Sequence, residues 1–371
     1  MGTQNILRNI SNIPGWRSSK KIVVFESDDW GSIRMPSLNS FKKLKEAGVS
    51  VDKGDAARYN TNDTLAGKND FTALYETLSS VKDRNNNPVV FTALSLVANP
   101  DFEKIKQSNF RQYFYEPITT TIERYHPGQS VFELWKEGIQ KKLFVPQFHG
   151  REHLNVMVWM DALRNNDPQT HAAFNEGCWG FSNKHMYNVK YQAAFDVANP
   201  AEINYHGEVI KEGLTLFEQL FGYRASFFVP PNGPFNNSLE QTAFGAGIKY
   251  MSASKIQHEA VGLGKTKKVF HYLGQKNKYG QTYLTRNCFF EPSQPGKNWV
   301  QECLSEMEIA FRWKKPAIIS SHRVNYIGVL NEVNRKAGLA ALKQLLDKIV
   351  LKWPDAEFMT SNQLGELITG K

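Results

Sequence analysis

Short apolar runs that stop at carboxylate, imidazole or proline-rich clusters recur along this sequence. Lys21-Ile-Val-Val-Phe-Glu-Ser27 runs into Asp28-Asp29-Trp30-Gly31. Leu143-Phe-Val-Pro-Gln-Phe148 ends at His149, Ala225-Ser-Phe-Phe-Val229 is closed by Pro230-Pro231-Asn232-Gly233, and Pro316-Ala-Ile-Ile-Ser320 leads to His322. Pro88-Val-Val-Phe-Thr-Ala-Leu94 is a further run of the same kind. Runs of this length and composition predict buried strands, with weaker candidates at 248–251 and 282–285. Apolar residues at helical spacing fill 154–163, 202–221, 299–313 and 333–350. Strands alternating with helices predict an α/β fold with parallel strands. In such folds ligand sites gather at the carboxyl ends of the strands, so the polar clusters should meet on one face.

No repeat, low-complexity segment or shift of composition divides the 371 residues, which reads as one domain, 1–371, with inserted loops at about 52–69 and 166–199. The net charge of +9 is spread over short pairs and triplets rather than gathered in a basic tract. A solvated surface explains it, and an acidic substrate or a lipid surface is the alternative. No nucleic-acid-binding signature occurs, so nucleic acid is not an expected partner. Cys178, Cys288 and Cys303 are too few, too scattered and odd in number for a disulfide framework or a zinc ribbon. No apolar run reaches transmembrane length and the first twenty residues lack a signal-peptide core, so the expected location is cytoplasmic.

Three clusters can carry chemistry. His149-Gly-Arg-Glu-His153 spaces two imidazoles four residues apart, which on a helix puts them on one face about 5–6 Å apart and lets both bind one ion. A carboxylate from another strand end would complete a two-His, one-carboxylate set with a position left open for water. Asp28 and Asp29 can divide the work, one binding the ion and the other accepting a proton. His322, with an ordinary pKa near neutrality, is a candidate general acid. Each cluster also has a plain structural reading: two surface histidines, an Asp-Asp turn and a hydrogen-bonded histidine.

Taken in order, these motifs resemble the polysaccharide deacetylases, the NodB-homology group of carbohydrate esterase family 4, from about residue 22 to 322. The resemblance implies a distorted (β/α) barrel of about seven parallel strands. It implies a metal-dependent hydrolase that removes an N-acetyl group, or less often an O-acetyl group, from a carbohydrate. Asp28 then matches the catalytic base, Asp29, His149 and His153 the metal ligands, and His322 the acid, with zinc the expected ion and cobalt or nickel as substitutes. Three departures stand out. Glu26-Ser27 precede the aspartates in place of Thr-Phe, and Val229 replaces the Arg that partners the base. No Asp and Trp pair occurs around Tyr250-Met251-Ser252. The same fold can also open non-peptide C–N bonds in small amides, or persist as a catalytically degenerate carbohydrate-binding protein.

On the substrate side, Trp30, Arg151, Pro231, Asn232 and Arg323 flank the reacting groups in sequence. An indole suits the apolar face of a sugar, and two arginines suggest an anionic group such as a uronic acid or a nucleotide diphosphate. The alternative is that Arg151 and Arg323 only brace the site through ion pairs with Glu152, Glu26 or Glu291.

Overall fold

The computed structural model describes residues 3–370. Nine strands form one sheet: β1 (Lys21–Trp30), β2 (Phe91–Leu96), β3 (Phe144–Gly150), β4 (Phe227–Phe228), β5 (Tyr250–Ser252), β6 (Thr282–Leu284), β7 (Cys288–Phe289), β8 (Ala317–His322) and β9 (Ala356–Phe358). Eight follow the order β6-β5-β4-β3-β2-β1-β8-β7, and β9 pairs with β1 off this path. Every pairing in the sheet is parallel. The sheet curls through 241° with helices around it, a distorted (β/α) barrel of eight strands on the path where the sequence suggested seven. The two-residue β7 accounts for an element with no readable periodicity.

Because strand side chains alternate, β1 sends two sets of residues to two places. Ile22 and Val24 pack with Leu94, Phe227, Tyr250, Leu284 and Ile318, contributed by strands all round the curl. Val23 and Phe25 pack with Phe91, Phe144, Leu304, Leu342 and Leu346, in the layer between sheet and helices. The inward set continues in register through Glu26 to Asp28, so two carboxylates follow two aliphatics toward the carboxyl end. On β8, Ile318, Ser320 and His322 hold the same inward parity, and His322 sits opposite Asp28 in the register.

The long helices lie where the spacing predicted them: Glu202–Phe221, Trp299–Arg312 and Glu332–Lys352. The expected loops are more ordered than their sequences suggest. A helix, Gly54–Asn62, occupies much of 52–69. Another, Pro168–Asn175, opens 166–199, with Asp167 capping the Thr170 N–H and Pro168 at a first-turn position that needs no donor. Both are shorter than the window in which helical periodicity can be read.

Candidate metal and acid–base site

Alternation alone would point Asp28 and Asp29 to opposite sides. The backbone prevents this: Asp29 adopts φ 75°, and the pairing of β1 with β2 shifts register between Ser27 and Trp30. A left-handed residue inside a bulge turns the second carboxylate back toward the first, and aspartate tolerates that conformation better than most residues. Both side chains end up nearly buried, at 5% and 2% exposure.

The expectation that 149–153 is helical is not met. His149 lies inside β3, and the next helix, Val156–Arg164, starts only after Asn155 caps it. The turn falls at Gly150, whose φ of 139° side chains rarely allow, and His153 returns from the following bend. The two imidazoles still converge. Their Nε2 atoms lie 3.4 Å (His149) and 3.0 Å (His153) from Asp29 Oδ1. Donor atoms from the three buried residues all fall within 4.8 Å of one another. His149 Nδ1 donates to the Val229 carbonyl at 2.7 Å, which leaves Nε2 as the free lone pair facing Asp29. Val229 thus enters the site through its backbone, in the segment where an arginine was missing.

The arginine comes from elsewhere. Arg286 grips Asp28 with both terminal nitrogens, at 2.8 and 2.6 Å, while its Nε reaches Glu26 at 2.5 Å. Glu26 is wholly buried and also accepts from Ser361 Oγ at 2.7 Å. Burial pushes the Asp28 carboxyl up, but Arg286, with His149 and His322, outweighs it and holds the group below its usual range. Asp29 is driven further down, its burial outweighed by His153 and His149.

His322 Nδ1 lies 2.5 Å from Glu291 Oε1, and its Nε2 faces Asp28 at 3.9 Å. Burial alone would lower this imidazole; Glu291, together with Asp29 and Asp28, outweighs it and raises the pKa to about 9. Glu291 is in turn held by Arg58, at 3.0 Å from two nitrogens, and by Asn325 Nδ2 at 3.0 Å. His322 and the two aspartates open into one cleft of about 540 Å³, whose walls include Arg34, Tyr59, Val229, Asn232 and Arg286. A groove of about 1400 Å³ continues from it past Arg58, Lys190 and Lys297.

The substrate-side residues fare differently. Trp30 is 1% exposed and packs edge-on against Phe144 at 4.8 Å, its indole N–H donating to Ser27 Oγ. Past the bulge, strand parity sends it into the helix-side core, so it offers no platform to a sugar. Arg151 is clamped by Glu152 at 2.6 and 2.7 Å, pairs with Glu212 and lies over Tyr115. Arg323 is fully buried, donating to Asp63 Oδ1 at 2.9 Å and to the Ser32 carbonyl at 2.7 Å. Both arginines brace the fold, Arg323 through an acid not foreseen. Pro231 is buried beside Gly150, whereas Asn232 is exposed on the cleft wall.

Sequence reasoning passed over Arg34, Arg58, Tyr59 and Arg286, and it misassigned the partners of Glu26 and Glu291. Only Glu26 carried a signal, through its inward strand parity; the others sit in a short helix or in stretches without periodicity.

No protein-family model matches this sequence, and no curated protein sequence matches it. Among solved structures, the chain is similar over most of its length to proteins of the polysaccharide deacetylase group, at low identity. A protein assigned as a polysaccharide deacetylase from Mycobacterium smegmatis is 13% identical, with 96% of this chain and 93% of that one covered and a TM-score of 0.45. One assigned as a glycoside hydrolase or deacetylase from Parabacteroides distasonis is 10% identical, covering 94% and 71%, with a TM-score of 0.47. PuuE allantoinase is 12% identical, covering 94% and 91%, with a TM-score of 0.45. At such identities and scores these likenesses decide nothing about chemistry, which rests on the residues of the cleft.

Proposed function

We propose that the chain is a metal-dependent hydrolase that removes an acetyl group from a carbohydrate. One observation carries the reading: a three-donor buried cluster, an arginine-held carboxylate and a carboxylate-held imidazole open into a single cleft. Asp29, His149 and His153 fit a divalent ion of the zinc type. They pair an anionic oxygen with two imidazole nitrogens, the His149 tautomer is set by Val229, and burial keeps His153 toward its neutral, ligating form. Such an ion supplies Lewis acidity and makes water a nucleophile near neutral pH.

The chain's own residues do the rest. Arg286 keeps Asp28 ionised, so that it can accept a proton at Oδ1 or Oδ2. Glu291 keeps His322 protonated at neutral pH, and Nε2, on the side facing Asp28, is the atom that would protonate the departing amine or alkoxide. Asn232, exposed on the wall, is the side chain we assign to holding the sugar, while Arg34 lines the same wall but is buried and faces Asp63 at 3.7 Å. With Arg151 and Arg323 consumed by internal ion pairs, any anionic group on the substrate would meet the exposed Lys190 or Lys297 of the groove instead.

The continuation of the cleft into a larger groove favours an extended carbohydrate over a small cyclic amide. The test is metal analysis of the purified protein with an acetate-release screen on N- and O-acetylated oligosaccharides. His149→Ala with His153→Ala should lose ion and turnover together. Full occupancy in that double variant, or hydrolysis of small amides alone, would defeat the reading.

A further inference from the structure

An amphipathic helix normally turns its apolar face inward. Helix Thr3–Ser11 does the reverse. Its Arg8 points in, pairing with Glu302 and with Glu306 at 2.7 Å, and Asn9 accepts from Trp313 Nε1 at 3.0 Å. Ile6, Leu7 and Ile10, with Ile13 just beyond, stand 50, 62, 56 and 42% exposed, and nothing among the described residues covers them. The helix end meets the ribbon formed by Ile256–Gly262 and Lys265–Phe270, through Lys255 Nζ and Ser11 Oγ at 3.1 Å. On that ribbon Ile256 and Phe270 are directly paired and 53 and 66% exposed. The next pair outward on the same face is His258 and Lys268, both exposed, and Lys265 and Lys267 are exposed nearby.

The exposed charge of the ribbon is one-sided, and the acids beside the helix, Glu302 and Glu306, are paired with Arg8. No acidic residue occurs before Glu26, and none between Glu259 and Glu291. Glu259 itself is buried and faces Lys267 at 3.9 Å, which leaves Lys265 and Lys268 as the lysines of the ribbon unpaired among the described residues. Exposed apolar side chains beside lysines, with the neighbouring acids already paired, have the composition that partitions into the headgroup boundary of an anionic bilayer. A second copy is a poor occupant, because it would bring together two lysine-bearing faces whose acids are already paired. No helix of the described residues is long and apolar enough to cross a membrane, so the contact would be peripheral.

We propose that helix Thr3–Ser11 and the 256–270 ribbon form a docking face for an anionic lipid surface. The face borders the catalytic cleft, since Arg8, Ser11 and Lys255 line the cleft wall. Docking therefore sets the mouth of the cleft beside the headgroups.

The experiment is co-sedimentation of the full chain with vesicles. One set contains equal parts phosphatidylglycerol and phosphatidylcholine, the other phosphatidylcholine alone. The protein should sediment with the mixed vesicles only, and less as salt is raised. Ile6→Ser, Ile10→Ser and Phe270→Ser combined should cut binding about tenfold or more, as should Lys265→Glu with Lys268→Glu. All five positions are exposed, and melting temperatures matching the parent would show that the variants fold. The lysine pair keeps the test decisive if the apolar variant does not fold. Absence of binding to anionic vesicles overturns the proposal, as does binding that neither variant changes. A concentration-dependent dimer that the apolar variant dissolves, without vesicle binding, would assign the face to a second copy.

Discussion

Asp28 and Asp29 are neighbours with the same side chain and different surroundings. Asp28 faces a guanidinium and His322, Asp29 two imidazoles. Asp28→Asn should therefore keep the ion and lose about 10²–10⁴-fold in turnover, while Asp29→Asn should lose the ion. Metal content measured beside kcat separates the two, and the opposite pattern would exchange their roles. Glu291 is testable through pH. His322, raised to about 9, stays protonated through neutral pH and loses its proton as pH climbs past that value. Activity that needs the protonated form falls on that alkaline limb. Glu291→Gln removes the charge that raises it, so the limb of kcat/KM should move to lower pH; a limb that stays in place would show that Glu291 does not govern the acid. The aspartates, the histidine pair and His322 were legible because each lies at or near the end of an apolar run. Arg286 and Glu291 were not, because residues between short elements carry no periodicity, and which acid meets which base is decided by the path of the chain.

Elements were readable where they were long or strongly apolar, and misread where backbone geometry overrode pattern. The histidine spacing suggested a helix, yet a strand, a glycine turn and a bend bring the same atoms together. Trp30 looked like a sugar platform only while the bulge at Asp29 was unknown; counting alternation through that bulge sends the indole to the core. Helix Glu332–Lys352 shows how an element far in sequence supports the proposed acid. A Cβ at Gly338 would lie 1.7 Å from the Asn325 carbonyl oxygen, and Asn325 donates to Glu291. Gly338→Ala should therefore lower stability by about 1–3 kcal/mol, the range for overpacking, and lower activity beyond what an exposed helical alanine does. Thermal melts of Gly338→Ala beside Gly245→Ala, where a Cβ has open space around it, provide the comparison.

For the molecule as a whole, the ion should act as a folding ligand, because the three donors come together from β1, β3 and the bend after β3. Chelation should lower the melting temperature. The stabilisation lost is about 2.7 kcal/mol where free ion had stood at 100 times its dissociation constant. An unchanged melt on removal of all metal would mean that the triad does not hold an ion in the folded state. The arrangement of the sheet carries one more consequence. Its two ends, β6 and β7, are separated in sequence only by Thr285, Arg286 and Asn287. The last gap of the curl is thus crossed by covalent chain rather than by a hydrogen-bonded seam. Asn287 fastens the crossing to β8 by exchanging hydrogen bonds with Ile318 N and the Pro316 carbonyl, and Arg286 is its midpoint. A seam of paired strands can breathe or slip register, whereas a tether of fixed length cannot. The clamp on the proposed base is therefore also the keystone of the ring, so that lengthening this stretch by even one residue would disturb closure and proton transfer in the same stroke.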